Sequence, residues 1–172
     1  MFGLLVHRIM LVLLFVFAWL AHSLSVWADP SKDPLTLAAY FEAAQHSFNE
    51  SQFKAIFADG RRSEQLNPGY AGAYRGLLAR DDRSPISRLK NACTASSLLN
   101  KAVTLEGSDP RWRLLRLILE VEMPGWLGLS EHIQEDQTFL NRLLSLESIG
   151  GPGYSTNGTS NEWSKFYKKM KF

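Results

Sequence analysis

Residues able to do chemistry are sparse in this 172-residue chain. His132 and Asp136 stand four apart with Glu131 and Glu135 beside them, and on a helix that spacing puts an imidazole and a carboxylate on one face. Such a pair could begin a metal site, or act as a base with the carboxylate that orients it. Two ligands do not complete a metal site, and among the other histidines only His46 lies beyond residue 22. The plainer reading is that acidic side chains favour the first turn of a helix. Arg113 and Arg116 are three apart on an otherwise apolar segment, with Glu120 one turn beyond Arg116. As a functional pair they form the basic floor of a groove that grips a carboxylate or an acidic peptide. As structure, Arg116 pairs with Glu120 inside its own helix, and this reading is favoured. Tyr40, Tyr74 and Trp126 are the aromatic candidates for the same partner-binding groove.

Other patterns exclude more than they suggest. Ser51-Gln52-Phe53-Lys54 and Ser87-Arg88-Leu89-Lys90 both have the Ser-x-x-Lys shape of penicillin-recognising enzymes. Two matches in so short a chain show how unspecific the shape is, and the companion motifs are missing. Gly150-Gly151-Pro152-Gly153 lacks the Lys-Ser/Thr of a phosphate cradle, and no Gly-x-Ser-x-Gly elbow is present. A single cysteine, Cys93, excludes an internal disulfide framework and cysteine-based zinc or iron–sulfur sites. Nineteen Lys plus Arg against seventeen Asp plus Glu gives +2, too balanced to point to nucleic acid. No catalytic residue, metal site or cofactor is expected. Asn49-Glu50-Ser51 and Asn157-Gly158-Thr159 are glycosylation sequons, meaningful only in a host that uses that route.

The N-terminus carries the strongest compartment signal. His7 and Arg8 precede thirteen nearly unbroken apolar residues, Ile9 to Ala21, and Val26 and Ala28 then fit the −3 and −1 pockets of a signal peptidase ahead of Asp29-Pro30. Residues 1–28 read as a secretory signal peptide, since thirteen apolar residues fall short of the roughly 20 that span a bilayer. No cysteine adjoins the cleavage site, which excludes a lipoprotein anchor. The mature chain is expected in the periplasm or secreted, with Cys93 buried as a small hydrophobe.

The elements that must position these residues are helical. Asp33-Pro34, Asn67-Pro68 and Asp109-Pro110 each read as a capping residue followed by proline at the first helical position. The first interval is 34 residues, the tetratricopeptide period, and the second is 42. Tyr40 and Tyr74 both lie six residues after their proline. Helical stripes follow: Leu37, Tyr40, Phe41, Ala44 and Phe48; then Phe53, Ile56 and Phe57; then Tyr70, Tyr74, Leu77 and Leu78. Ser84-Pro85 opens a long helix with Ile86, Leu89, Cys93, Leu99 and Val103 on one face, and Pro110 to Met123 is apolar on nearly every side, as expected of a central helix. Ser130 is the expected cap of a helix carrying Ile133, Leu140, Leu143 and Leu144. No alternating run suggests a strand. Residues 149–161, with four glycines and a cluster of Ser, Thr and Asn, read as a flexible linker. In 162–172, Trp163, Phe166, Tyr167 and Met170 repeat at i, i+3, i+4 and i+7, with Lys165, Lys168, Lys169 and Lys171 around them. This basic amphipathic helix either caps the fold or contacts an anionic membrane, and capping is favoured.

The chain resembles tetratricopeptide-like helical repeats, and within them a family of uncharacterised exported bacterial proteins. The resemblance rests on Asp109-Pro110, Trp112-Arg113-Leu114-Leu115-Arg116, Pro124, Leu127-Gly128, Ser130, Ile133 and Asp136, and more weakly on the segment from Asn67 to Tyr74. It implies an all-α fold: a short α-solenoid of about three helical hairpins over residues 29–148, plus the C-terminal helix. It implies no particular activity. The function expected is a non-enzymatic binding or scaffold protein of the cell envelope with a protein or peptide partner. The alternative is a small exported hydrolase using His132 and neighbouring carboxylates. Edman sequencing of protein recovered from the envelope of an expressing cell should begin at Asp29; a start at Met1 would overturn the signal-peptide reading.

Overall fold

The computed structural model describes residues 33–58, 61–148 and 162–170. The expected signal peptide, residues 1–28, and the expected linker, residues 149–161, lie outside the described residues. The described chain is all-α, with no strand among those residues. Eight α-helices follow in order: α1 (Leu37–Ala44), α2 (Glu50–Ile56), α3 (Arg61–Leu66), α4 (Pro68–Asp81), α5 (Pro85–Leu105), α6 (Pro110–Glu122), α7 (Ile133–Ser148) and α8 (Glu162–Lys169). A 3-10 turn, Gly125–Leu127, leads out of α6 and ends on Gly128, whose φ of 63° is the left-handed conformation that glycine adopts without strain.

Proline sets three starts as the sequence predicts, but the capping is uneven. Ser84 and Asp109 accept from the backbone N–H of Ser87 and Arg111. Asn67 precedes Pro68 but makes no side-chain cap. At Asp33-Pro34 the helix waits until Leu37, because Thr36 is the residue that caps, accepting from Ala39 N–H at 3.1 Å. The expected first hairpin is instead three short helices. Asn49 and Gln52 close a reciprocal capping box at the start of α2, so Phe48 reaches the core from a loop rather than from a helix.

The α4–α5 contact is the most extensive between described helices, and small residues let the two approach closely. A Cβ on Gly72 would stand 2.8 Å from Leu99 Cγ and 3.0 Å from the Ala95 carbonyl oxygen. A Cβ on Gly69 would overlap the Trp112 ring of α6. The buried face of α5 is rich in small residues: Ala92, Ala95, Ser96 and Ala102, with Asn91, Leu99 and Val103 among them. This corrects the predicted phase of the helix. Leu99 and Val103 are buried, but Ile86 is 82% exposed, Leu89 is 46% exposed and Cys93 is exposed. The large side chains at the start of α5 cannot enter so tight a seam, so the alanines take it.

Aromatic residues fill the opposite side of α4. Tyr74 is surrounded by Tyr40, Phe48 and Phe57, with ring centroids 5.9, 5.2 and 6.0 Å away, and its hydroxyl donates to the Pro34 carbonyl at 2.9 Å. Arg80 and Asp81 anchor the α1–α2 connection: Arg80 donates to the carbonyls of Ala44 and His46, and Asp81 accepts from Phe48 N–H at 2.7 Å. Helix α8 lies against α1 and α6. Trp163 and Tyr167 are buried, Phe166 stacks on Phe41 at 4.0 Å, and the Tyr167 hydroxyl donates to Asn141 Oδ1 at 3.0 Å.

Replacing Gly69 by Ala forces the Trp112 ring to move and should cost about 1–3 kcal/mol, as overpacking generally does. Thermal melts of the full chain check this: Gly69→Ala lowers the melting temperature, whereas Gly125→Ala, where a Cβ meets nothing within 4 Å, leaves it near wild type.

Candidate functional site

Of the charged residues singled out from the sequence, Arg113, Arg116, Glu135 and Asp136 come together in one network between α6 and α7, with Arg116 and Asp136 buried and Glu135 at its exposed edge. Helix α6 is buried from Leu114 through Glu120 and half-buried at Arg113, so the arginines at 113 and 116 must meet partners there. Arg116 donates from Nε and Nη2 to the two carboxylate oxygens of Asp136, each at 2.7 Å, and from Nη1 to Asn100 Oδ1 at 3.1 Å. Arg113 donates to Asp136 Oδ1 at 2.9 Å, to Glu135 Oε1 at 2.6 Å and to the Gly107 carbonyl, and it lies over the Phe139 ring. Asp136 is 0% exposed and Arg116 4%. Arg116 is therefore not the exposed groove floor, and it does not hydrogen-bond Glu120. Its carboxylate partner is twenty residues away on α7. Burial works against the guanidinium charge, and the Asp136 carboxylate more than restores it, so the Arg116 pKa ends raised. The Arg113 hydrogen bond holds the Glu135 carboxyl below its usual range.

Glu120 has a different partner. Its carboxylate, 2% exposed, accepts from His132 N–H at 2.7 Å and faces His132 Nδ1 at 2.8 Å. This contact requires a proton on Nδ1 and leaves Nε2 without the Glu120 contact. Ser130 does not cap α7: its hydroxyl donates to the Glu120 carbonyl at 2.9 Å, and the helix starts three residues later. Among the described residues, no group of three His, Cys, Asp or Glu side chains is placed to hold a metal ion.

The aromatic candidates separate. Tyr40 and Tyr74 are core residues, and burial raises the Tyr40 pKa, so its hydroxyl stays protonated. Trp126 sits in the 3-10 turn, and its side chain lies outside the described residues. Of the C-terminal set, Trp163 and Tyr167 are buried and Phe166 is partly buried, while Lys168 and Lys169 face outward.

Leu119 and Glu122 of α6, with Met123 just past its end, line a different feature, a cavity of about 360 Å³ shared with α4 and α5. Its walls include Gly76 and Ala79 of α4, Leu89 and Ala92 of α5, and Leu127 beyond α6; Arg80, Arg88 and Glu122 supply its charges. Arg80 is occupied by Asp81 at 2.7 Å and by two carbonyls. Arg88 donates from Nε to the Ala79 carbonyl at 3.1 Å and is exposed. Compared with known proteins, the chain matches no family model, no curated protein and no solved structure. Sequence reasoning missed this cavity. Leu89 and Arg88 are adjacent on α5, yet their nearness to Leu119 and Leu127 arises only when three helices converge.

Asp136→Ala leaves the Arg116 charge buried without its main counter-ion and should destabilise the fold by about 3–5 kcal/mol, whereas Arg116→Met with Asp136→Leu should recover most of that loss; chemical denaturation of the full chain reads both. Glu135 and Asp81 have folded pKa values lowered by hydrogen bonds from Arg113 and Arg80. Their contribution is present above the unfolded carboxylate range of about pH 4 and is lost as the pH falls through the lowered folded values. The melting temperature should therefore change little from pH 7 to pH 5 and drop below pH 4.

Proposed function

We propose that this chain is an exported, non-enzymatic binding or scaffold module of the cell envelope, with a protein or peptide partner. In this reading it is a short tetratricopeptide-like stack in which α4–α5 and α6–α7 are successive hairpins and α8 is the terminal cap. The observation that carries it is the distribution of polar and apolar groups. The charged side chains Arg113, Arg116 and Asp136 are paired across the α6–α7 interface, while the open cavity is lined mainly by Gly, Ala, Leu, Met and Pro, with Arg80, Arg88 and Glu122 as its charged groups. A concave, mostly apolar site with a few polar groups at its edge is the usual form of a binding pocket. The outward lysines of α8, Lys165, Lys168 and Lys169, would supply any peripheral contact with an anionic membrane. No helix among the described residues is long and apolar enough to cross one.

A second reading, a small hydrolase, draws on the Glu120–His132 contact, which would orient an imidazole as a general base. Peptides selected by display against the full chain separate the two. The binding reading expects them to lose at least tenfold in affinity for Leu89→Glu and to be unaffected by His132→Ala. Turnover of an ester or amide substrate that His132→Ala abolishes would overturn it.

A further inference from the structure

Two features of the α4–α5–α6 cavity narrow what it can hold. The first is volume and lining: about 360 Å³, walled by Ala79, Leu89, Ala92, Leu119, Met123 and Leu127. That is room for an apolar body of small-ligand size, at the lower end of the range for such sites. The second is an imbalance of charge at its edge. Arg80 is already matched by Asp81 and lies in the field of Glu122. Arg88 has no carboxylate partner among the described residues. Its single hydrogen bond, from Nε to the Ala79 carbonyl, fixes the guanidinium against the wall and leaves both Nη nitrogens as donors. Planar guanidinium forks of this kind match a carboxylate. Leu89, on the cavity wall beside Arg88, is left 46% exposed, and an occupant would relieve the cost of hydrating it.

We propose that this cavity is a subsite for a small anionic amphiphile: an aliphatic or aryl body seated against Leu89, Leu119 and Leu127, with its carboxylate on the Nη nitrogens of Arg88. The assignment rests on the binding-module reading and names the chemistry its inner cavity takes. The Glu122 carboxylate, on the Arg80 side, disfavours an anion at that end, so the orientation of the ligand is fixed with its charged head toward α5.

Decanoate titrated into the full chain tests it by calorimetry, with decyltrimethylammonium as the cation of matched apolar length. The expected result is one decanoate bound per chain, at least tenfold weaker binding of decyltrimethylammonium, at least tenfold loss of decanoate affinity in Arg88→Gln, and no binding in Leu89→Glu. Both positions are exposed, and circular dichroism and the melting temperature report whether each variant keeps its fold. Equal binding of anion and cation, or an Arg88→Gln variant indistinguishable from wild type, overturns the assignment. A hexapeptide ending in leucine is titrated alongside, with a free and with an amidated C-terminus. If it binds where decanoate does not, the subsite assignment falls while the binding-module reading stands. If neither decanoate nor any displayed or synthetic peptide binds, both fall.

Discussion

Placing Arg116 and Asp136 out of water is the constraint from which the arrangement of the C-terminal half follows. A guanidinium and a carboxylate lose several kcal/mol of hydration each on burial, and only close, well-aligned contacts compensate them. Here the compensation is nearly complete: two hydrogen bonds join the pair, Asn100 of α5 takes a third guanidinium nitrogen, and Arg113 donates a further bond to Asp136. Sliding α7 by one turn along α6 would strand at least one of these charges. The pair therefore sets the register of three helices at once, which generic Leu–Leu packing does less sharply.

The same network explains how α6 can be covered on opposite sides by unlike surroundings. Toward α7 it presents Arg113, Arg116 and Glu120, each engaged by partners from α7 or from the turn before it. Toward α4 and α5 it presents Leu119, a core residue that, with Met123 just past the helix end, also forms part of a cavity wall. The glycines of α4 account for the difference. They draw α5 tightly onto α4 at Gly72, and this tight seam, filled by alanines and Leu99, leaves the bulkier start of α5, with Ile86 and Leu89, standing outside the core.

The N-terminal third and the C-terminal helix stabilise one another in a different way. Helices α1, α2 and α3 have only eight, seven and six residues, too short to persist alone in water. Aromatic packing around Tyr74 and the Arg80–Asp81 anchor hold the first of them on α4, and α8 lays Phe166 on Phe41 from the other side. The amphipathic pattern of α8 is thereby used within the protein, with its lysines left to the solvent.

Sequence by itself determined the local features. Proline at the first helical turn, polar residues ahead of it and 3.6-residue apolar spacing are properties of a few neighbouring residues, and they located α4, α5, α6, α7 and α8 and the all-α class. The amphipathic face of Trp163, Phe166 and Tyr167 was legible for the same reason. Tertiary structure alone decided which partner each charged group found. An i,i+4 rule nominated Glu120 for Arg116, because on one helix that is the nearest carboxylate, but a carboxylate on another helix can approach a guanidinium end-on and with both oxygens. Likewise Cys93 and Leu89 share the periodicity of Leu99, yet only the separation between α4 and α5, set by Gly72 and Ala95, determines which stretch of that stripe is covered. Pairing across twenty residues and the distance between two helices are properties of packing, and no local pattern encodes them.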